Sequence, residues 1–245
     1  MQDPRFEQDL TEAVRELEAE PDPPHTLERL VTLVPEFFPH ADFVGVSLMS
    51  GNRIETPVAS TEALRLVDQL QYTMHEGPCR EAIRAEHTVV VDDLATDQRW
   101  PRWGARMVEQ LGIHSSLSFG LFTTGSGTWG ALNVYARQPH AFTQDDVLHG
   151  QAIATMSAVV LARSINEHQL ATALETRTVI GQATGMIMER FGLDADASFN
   201  VLRRLSSQHN EKLREIAAQL VATRALPGET RRPAVGPAGR DDAGS

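Results

Sequence analysis

From Thr143 to Phe191 the sequence gives a helix no convincing place to stop. Asp145 and Asp146 stand where acids favour a first helical turn, and no strand pattern follows them. Gly181 and Gly185 are tolerated inside a helix at about 1 kcal/mol each relative to alanine. Either one long helix or two helices joined by a small kink near Arg163–Gln169 satisfies the pattern. Gly192 then suits a C-cap, and Asp194 an N-cap for a helix carrying Ala197, Val201, Leu202 and Leu205 inside. Asn210 is placed to cap a third helix, with Leu213, Ile216, Ala217, Leu220 and Val221 inward and Pro227-Gly228 at its end. The back third is therefore all-α, and the Gly-, Pro- and Arg-rich residues 228–245 are expected to be disordered.

The front two-thirds mixes periods. Phe6, Leu10, Val14 and Leu17 mark an amphipathic helix, broken by Pro21-Asp22-Pro23-Pro24; Leu27, Leu30, Val31 and Val34 mark a second, ending before Pro39. Phe43–Met49 and Arg53–Ala59 read as strands joined by Ser50-Gly51-Asn52. Ser60-Thr61-Glu62 starts a helix with Leu64, Val67 and Leu70; Val89–Val91 is a short buried strand; Asp97–Leu111 is a loop leading into a helix with Pro101 in its first turn. Ser115–Phe122 and Trp129–Ala136 are strands about a turn at Gly125-Ser126-Gly127. The fold class is α+β, an antiparallel sheet with flanking helices, followed by three helices reached through a long one. The chain divides into an N-terminal helix (1–22), a sheet domain (23–165), a helical domain (166–227) and a tail (228–245).

Composition then removes function classes. Of 22 basic residues Lys212 alone is lysine, and it sits in a helical pattern near the C-terminus and follows no glycine-rich loop, so a P-loop, a protein kinase or a Schiff-base enzyme does not fit. Residues 1–167 carry a net charge of −12 and residues 168–228 of +1, so the acidity belongs to the front two-thirds, while Arg177, Arg203, Arg204, Lys212 and Arg214 offer the nearly balanced back third local positive charge. No apolar run approaches a membrane span, and Met1–Glu20 lacks the pattern of a secretory signal, so a cytoplasmic protein is expected.

Several small constellations carry a sharp and a plain reading. Alternation in Ser115–Phe122 sends Leu117, Phe119 and Leu121 one way and Ser116, Ser118 and Gly120 the other; that small polar face lines a ligand cavity or faces solvent. The one cysteine, Cys79, follows His75 across Glu76-Gly77-Pro78, which reads as a turn, so helical metal geometry is not expected; it joins Ser116 and Ser118 as a candidate pocket residue, with a buried small hydrophobe as the alternative. Asp92 and Asp93 with His87 read as turn residues rather than a metal site, and Gly125–Gly130 as a hairpin turn rather than a phosphate loop. Neither a metal site nor a catalytic residue is assigned, and no cofactor is predicted. Arg203, Arg204, Asn210, Lys212 and Arg214 cluster about one helix connection and meet phosphate or simply solvate it. With Phe191 and Phe199 read as core, any stacking on a partner's planar groups falls to the arginines. Gln182, Thr184 and Gly185 form a second patch, for close approach of a partner or for tight helix packing. Ile153, Met156, Val160, Leu170 and Leu174 make a candidate parallel dimer seam, irregular around Arg163–Gln169.

The run Arg177-Thr-Val-Ile-Gly-Gln-Ala-Thr-Gly-Met-Ile-Met-Glu-Arg190, with Ala197-Ser-Phe-Asn-Val-Leu-Arg-Arg-Leu-Ser206 and Asn210-Glu-Lys-Leu-Arg-Glu-Ile-Ala217, resembles an ANTAR domain over about 175–226. The resemblance implies a dimeric three-helix RNA-binding module that holds paired hairpin loops in nascent transcripts and acts in transcription antitermination. It places RNA contacts on Arg177, Gln182, Thr184, Gly185, Arg203, Arg204, Asn210, Lys212 and Arg214. Thr184 departs from the family, where many members carry lysine. Ala41-Asp-Phe-Val-Gly-Val-Ser-Leu48, Glu76-Gly-Pro-Cys79, Val91-Asp-Asp-Leu94, Arg99-Trp-Pro-Arg-Trp103 and Gly130-Ala-Leu-Asn-Val-Tyr135 resemble a GAF domain over about 25–165. That likeness implies a sensor for a small-molecule ligand of unknown identity, and a GAF-fold sulfoxide reductase would need a resolving cysteine that the sequence lacks. The expected function is a homodimeric RNA-binding regulator gated by a sensor domain. The alternative is a small-molecule or redox sensor whose helical tail dimerises or binds DNA.

Overall fold

The computed structural model describes residues 4–50, 53–85, 87–123 and 127–227. The turns expected at Gly51-Asn52 and Gly125-Ser126, and the tail from residue 228, lie outside them. Helices α1 (Pro4–Glu18) and α2 (Pro23–Phe37) precede strands β1 (Phe43–Ser50) and β2 (Arg53–Ala59), then helices α3 (Glu62–Met74) and α4 (Pro78–Ala85). Strand β3 (Val89–Val91), helix α5 (Pro101–Leu111) and strands β4 (Ser115–Thr123) and β5 (Gly127–Ala136) follow. Helices α6 (Gln144–Phe191), α7 (Ala195–His209) and α8 (Leu213–Thr223) complete the chain. The chain forms two compact units, divided between His168 and Gln169. Among the described residues no helix is long and apolar enough to cross a membrane.

In the first unit five antiparallel strands run in the order β2-β1-β5-β4-β3. Strand alternation gives the sheet two buried faces. Val44, Val46, Leu117, Phe119, Leu121, Leu132 and Val134 meet α1, α2 and the first part of α6, through Leu17, Leu30, Val34, Ile153 and Leu161. Phe43, Tyr135, Val89 and Val91 face α3, α4 and α5, where Trp103 and Met107 are fully buried. In the second unit Ala183 and Ile187 of α6 close a core with Leu202, Ile216, Ala217 and Leu220.

Local signals explain most ends. The Asp22 carboxylate accepts from the backbone N of His25 at 3.0 Å, starting α2 directly after the proline break. Thr61 accepts from Leu64 N and Asp194 from Ala197 N, as N-caps do. Thr143 and Asp146 bond each other's backbone N–H groups at the start of α6. Of the two patterns open for residues 144–191, one unbroken helix of 48 residues is the one formed. One expectation is extended and one fails. Glu76-Gly77 form the expected turn, and Pro78 then opens a short helix, α4, that the sequence reading did not contain. Asn210 does not start α8; it ends α7 in the left-handed conformation (φ 54°), its N–H donating to Ser206 O, and Lys212 is the N-cap of α8. An asparagine tolerates left-handed backbone as readily as it caps a helix start, so its identity alone did not separate the two roles.

Helix α5 borrows its cap. Trp100 at its N-cap supplies no side-chain acceptor, and Glu76, from the α3–α4 connection, takes that place. Its carboxylate accepts from Arg102 N at 3.0 Å and Trp103 N at 3.1 Å, while Arg102 Nε donates to it at 2.6 Å. The Arg102 guanidinium, aided by these backbone donors, holds the Glu76 carboxyl below its ordinary value. Its stabilising contribution is therefore complete above the ordinary glutamate range, about 4.3, and is lost as pH falls through the lowered value. Glu76→Ala should cost about 1 kcal/mol, as lost caps do, and remove that acid-side decline; thermal melts of both proteins between neutral and acid pH measure it.

Candidate functional site

On the face of the sheet under α3, α4 and α5, the apolar strands are interrupted by small and polar residues: Ser47 on β1, Ser116, Ser118 and Gly120 on β4, Ala131 and Asn133 on β5. Helix α3 answers with Leu64, Asp68 and Gln71 along one helical stripe. Asp68 is almost wholly out of water and surrounded by donors. Thr56 Oγ1 donates to Asp68 Oδ2 at 2.6 Å and Ser47 Oγ at 3.2 Å; Tyr135 OH donates to Oδ1 at 3.0 Å, and Gln71 Nε2 donates to the same oxygen. Tyr72 OH donates to Ser47 Oγ at 2.9 Å and Asn133 Nδ2 to the same oxygen at 3.1 Å. Burial pushes the Asp68 carboxyl up, opposed by these hydrogen bonds, with Thr56 the largest; burial likewise raises the Tyr72 and Tyr135 hydroxyls. The cluster ties two strand pairs to α3. Gln71 Oε1 also accepts from Cys79 N at 3.3 Å, joining α4 to it. Gly77, at φ 131°, is required beside it, since a Cβ there would fall 2.0 Å from Gln71 Oε1.

Ser116, Ser118 and Cys79 are all fully buried on this face, which overturns the solvent-exposed alternative for the serines. Small side chains let α4 approach the sheet: a Cβ on Gly120 would stand 3.2 Å from Ala82 O. The hydroxyls of Ser116 and Ser118, and Asn133 Oδ1, have no protein partner among the described residues. None of the three candidate pocket residues lines the cleft of about 840 Å³ that opens between the β1–β2 end of the sheet, α3 and α4. Its walls include Arg53, Glu55, Tyr72, Arg80, Ile83 and Arg84. Those residues went unread in the sequence because the helix carrying two of the arginines was unread.

Cys79 packs with Ile83, Ala131 and Ile54, and burial pushes its thiol up to about 12, while His75 is exposed; the structure does not bring them together as a redox or metal pair. Asp93 pairs with His114 at 3.0 Å and His87 with Glu81 at 3.8 Å. Among the described residues no group of His, Cys, Asp and Glu is arranged to hold a metal ion.

In the second unit Arg203 and Arg204 stand exposed on α7, and Arg177 on α6; their guanidinium groups make no ion pair among the described residues. Lys212 and Arg214 are exposed at the start of α8, Arg214 within 4.0 Å of Glu215. The α7–α8 connection is held by Ser206, whose hydroxyl donates to Glu211 O at 2.6 Å, and by Lys212 N donating to Glu215 at 3.3 Å. This brings Arg203, Arg204, Asn210, Lys212 and Arg214 to one connection. On α6, Gln182 and Gly185 are exposed, and nothing approaches the position of a Gly185 Cβ, so no neighbouring helix among the described residues packs there. Thr184 is half-buried, and its hydroxyl donates to Ile180 O at 2.7 Å. Two residues along a helix turn it by about 200°, so Gln182 and Thr184 look out in different directions.

Two apolar assignments change. Phe191 and Phe199 are not core; they are 48% and 38% exposed. Ile153 and Val160 are not free for a dimer seam, because they are 3% and 5% exposed in the sheet core. A long amphipathic helix with apolar residues on two sides does not reveal from its own sequence which side its domain takes. Leu148, Met156 and Val159 are the exposed apolar residues of that stretch, and Leu170 and Leu174 are exposed beyond it. Two measurements check the first unit. Asp68→Ala leaves several buried donors unpaired and should destabilise it by about 2–4 kcal/mol in a urea melt. An aromatic disulfide reagent should find no reactive thiol in the native chain and one after unfolding.

The profile of the GAF domain family matches residues 20–162, and that of the ANTAR domain residues 168–221. No curated protein matches the chain. Among solved structures, it is similar to the GAF domain of a phosphoenolpyruvate-protein phosphotransferase from Coxiella burnetii (16% identity, TM-score 0.53, over 67% of this chain and 96% of that one). It is also similar to a free methionine-R-sulfoxide reductase from Neisseria meningitidis in complex with its substrate (16%, TM-score 0.52, 66% and 91%). A further likeness is to the reduced form of the Staphylococcus aureus free methionine-R-sulfoxide reductase (17%, TM-score 0.52, 64% and 94%). At these identities the likeness speaks for the fold of the first unit alone. With a five-stranded sheet and flanking helices filling residues 20–162, and a helical unit filling 168–221, the chain belongs to the GAF domain family and carries an ANTAR domain behind it.

Proposed function

We propose that the chain is a regulator that binds structured RNA, paired hairpin loops in nascent transcripts, through its ANTAR unit and so controls transcription termination. The GAF unit gates this as a sensor of a small ligand, and the working species is a homodimer. The observation that carries the reading is the group of exposed cations at the α7–α8 connection: Arg203 and Arg204, without ion pairs among the described residues, beside Lys212 and Arg214, in a chain otherwise strongly acidic. Guanidinium groups with unused donors neutralise phosphate and lie flat on unstacked bases, which is how loops rather than A-form stems are read. Exposed Phe191 and Phe199 supply the aromatic faces that the arginines alone would otherwise have to provide.

Arg177, Gln182 and Gly185 add a second exposed surface on α6. The exposed rows on α6, Leu148, Met156 and Val159 and then Leu170 and Leu174, are the apolar surface that a second copy would cover. No catalytic role is assigned, and the one thiol is buried with a raised pKa, unsuited to redox turnover.

Isothermal titration of the full chain with a paired-loop RNA tests the reading. The Arg203→Ala/Arg204→Ala variant should bind more weakly, and its affinity should depend less steeply on salt, the log–log slope falling by about one for each phosphate no longer neutralised. Equal affinity for duplex DNA and hairpin RNA, or unchanged RNA affinity in the variant, would count against it.

A further inference from the structure

We infer that Ser207 is a phosphorylation site for a protein-serine kinase that reads basic residues ahead of its target, and that the phosphate withdraws Arg203 and Arg204 from RNA. This deepens the RNA-binding reading above, and the effect on RNA rests on it. The inference begins with the run Arg203-Arg204-Leu205-Ser206-Ser207 on α7. Kinases whose substrate grooves are acidic select hydroxyls that follow arginines by a few residues, because the charges pair across the groove. Both serines satisfy that spacing.

The structure separates the two. Ser206 is half-buried, its hydroxyl donates to Glu211 O at 2.6 Å, and its carbonyl accepts from Asn210 N and, at 3.1 Å, from Glu211 N. A phosphate there would have no proton to give Glu211 and would stand inside the α7–α8 connection. Ser207 is exposed, and its hydroxyl only bonds back to Arg203 O at 3.1 Å. Such a bond contributes little to a helix. Ser207 also lies in the last turn of α7, which ends at His209. A terminal turn opens at low cost, as entry into a groove for extended peptide requires.

In the transfer Ser207 Oγ bonds to the γ-phosphorus of ATP, the bond from that phosphorus to its bridging oxygen breaks, and ADP leaves; the hydroxyl proton passes to the kinase's base. The product carries a charge of about −2 near neutral pH. Arg203 and Arg204 stand four and three residues back, the positions that adjoin Ser207 along a helix. Both are exposed and without ion pairs among the described residues. Their guanidinium forks therefore close on phosphate oxygens of their own chain. The negative end of the α7 dipole and the Glu211 and Glu215 carboxylates oppose this. Both carboxylates are exposed and screened by solvent, and Glu215 already accepts from Lys212 N and lies 4.0 Å from Arg214. The direct arginine pairs prevail, and two cations of the α7–α8 surface are spent inside the chain.

The test incubates the full chain with magnesium, ATP and the catalytic subunit of cyclic-AMP-dependent protein kinase, which selects arginines ahead of serine, and places the phosphate by tandem mass spectrometry. The expected product carries phosphate on Ser207, formed in Ser206→Ala and lost in Ser207→Ala. Titration with the paired-loop RNA should then show the phosphorylated chain binding about tenfold or more weakly, since hydrogen bonds between charged groups are of that size. Its log–log salt slope should fall by up to about two. Kinase-treated Ser207→Ala should bind as the unmodified chain does, and an unchanged melting midpoint certifies its fold. No phosphate on the native chain, phosphate on other residues only, or undiminished RNA affinity after modification of Ser207 overturns the inference. Phosphate on Ser207 of a chain whose unmodified form binds no hairpin RNA upholds the modification site and overturns the RNA reading instead.

Discussion

A carboxyl group removed from water must be surrounded by donors or it destabilises the fold that holds it, and Asp68 is surrounded. Its partners come from β1, β2, β5 and α3, so no one of these elements can shift without leaving a buried donor or acceptor unmet. Hydrophobic packing tolerates small slides; a directional cluster does not. The same group sets the position of α4 through Gln71 and Cys79, and so sets the cleft and the arginines above it. The polar residues that interrupt an otherwise apolar sheet face act here as register pins for the helical layer.

The second unit is organised differently. Its core is small and apolar, built on Ala183, Ile187, Leu202, Ile216 and Leu220, and its polar chemistry is on the surface. Arg190 donates to the carbonyl of Arg224 at 2.5 Å, closing the left-handed end of α8 against the last turn of α6. Arg203 and Arg204 are free of such duties among the described residues, which separates the arginines that build this unit from those available to a partner.

Much of this was legible in the sequence. The strand boundaries followed from alternation, the helix starts at Thr61 and Asp194 from residue type, and the long helix from the lack of any breaker. What escaped was set by tertiary context. Helix α4 is only eight residues long, too short to declare a period, and its sign was Pro78 at the first position. The spacing of Asp68 from Leu64 and Gln71 puts it on the inward stripe of its helix, but an acid on a helix gives no sign in sequence of the donors that burial will bring around it. Phe191 and Phe199 looked like core because large aromatics usually are. A three-helix unit of this size has too little interior for every apolar residue it carries. Among the site residues, the cations at the α7–α8 connection could be read as a group, whereas the arginines of the cleft come from separate elements that only folding brings together.

The unbroken course of α6 has a consequence for how this architecture can change length. A helix advances about 100° per residue, so one residue inserted near the middle of α6 would turn every downstream side chain to a new bearing. Seven residues restore the phase to within about 20°.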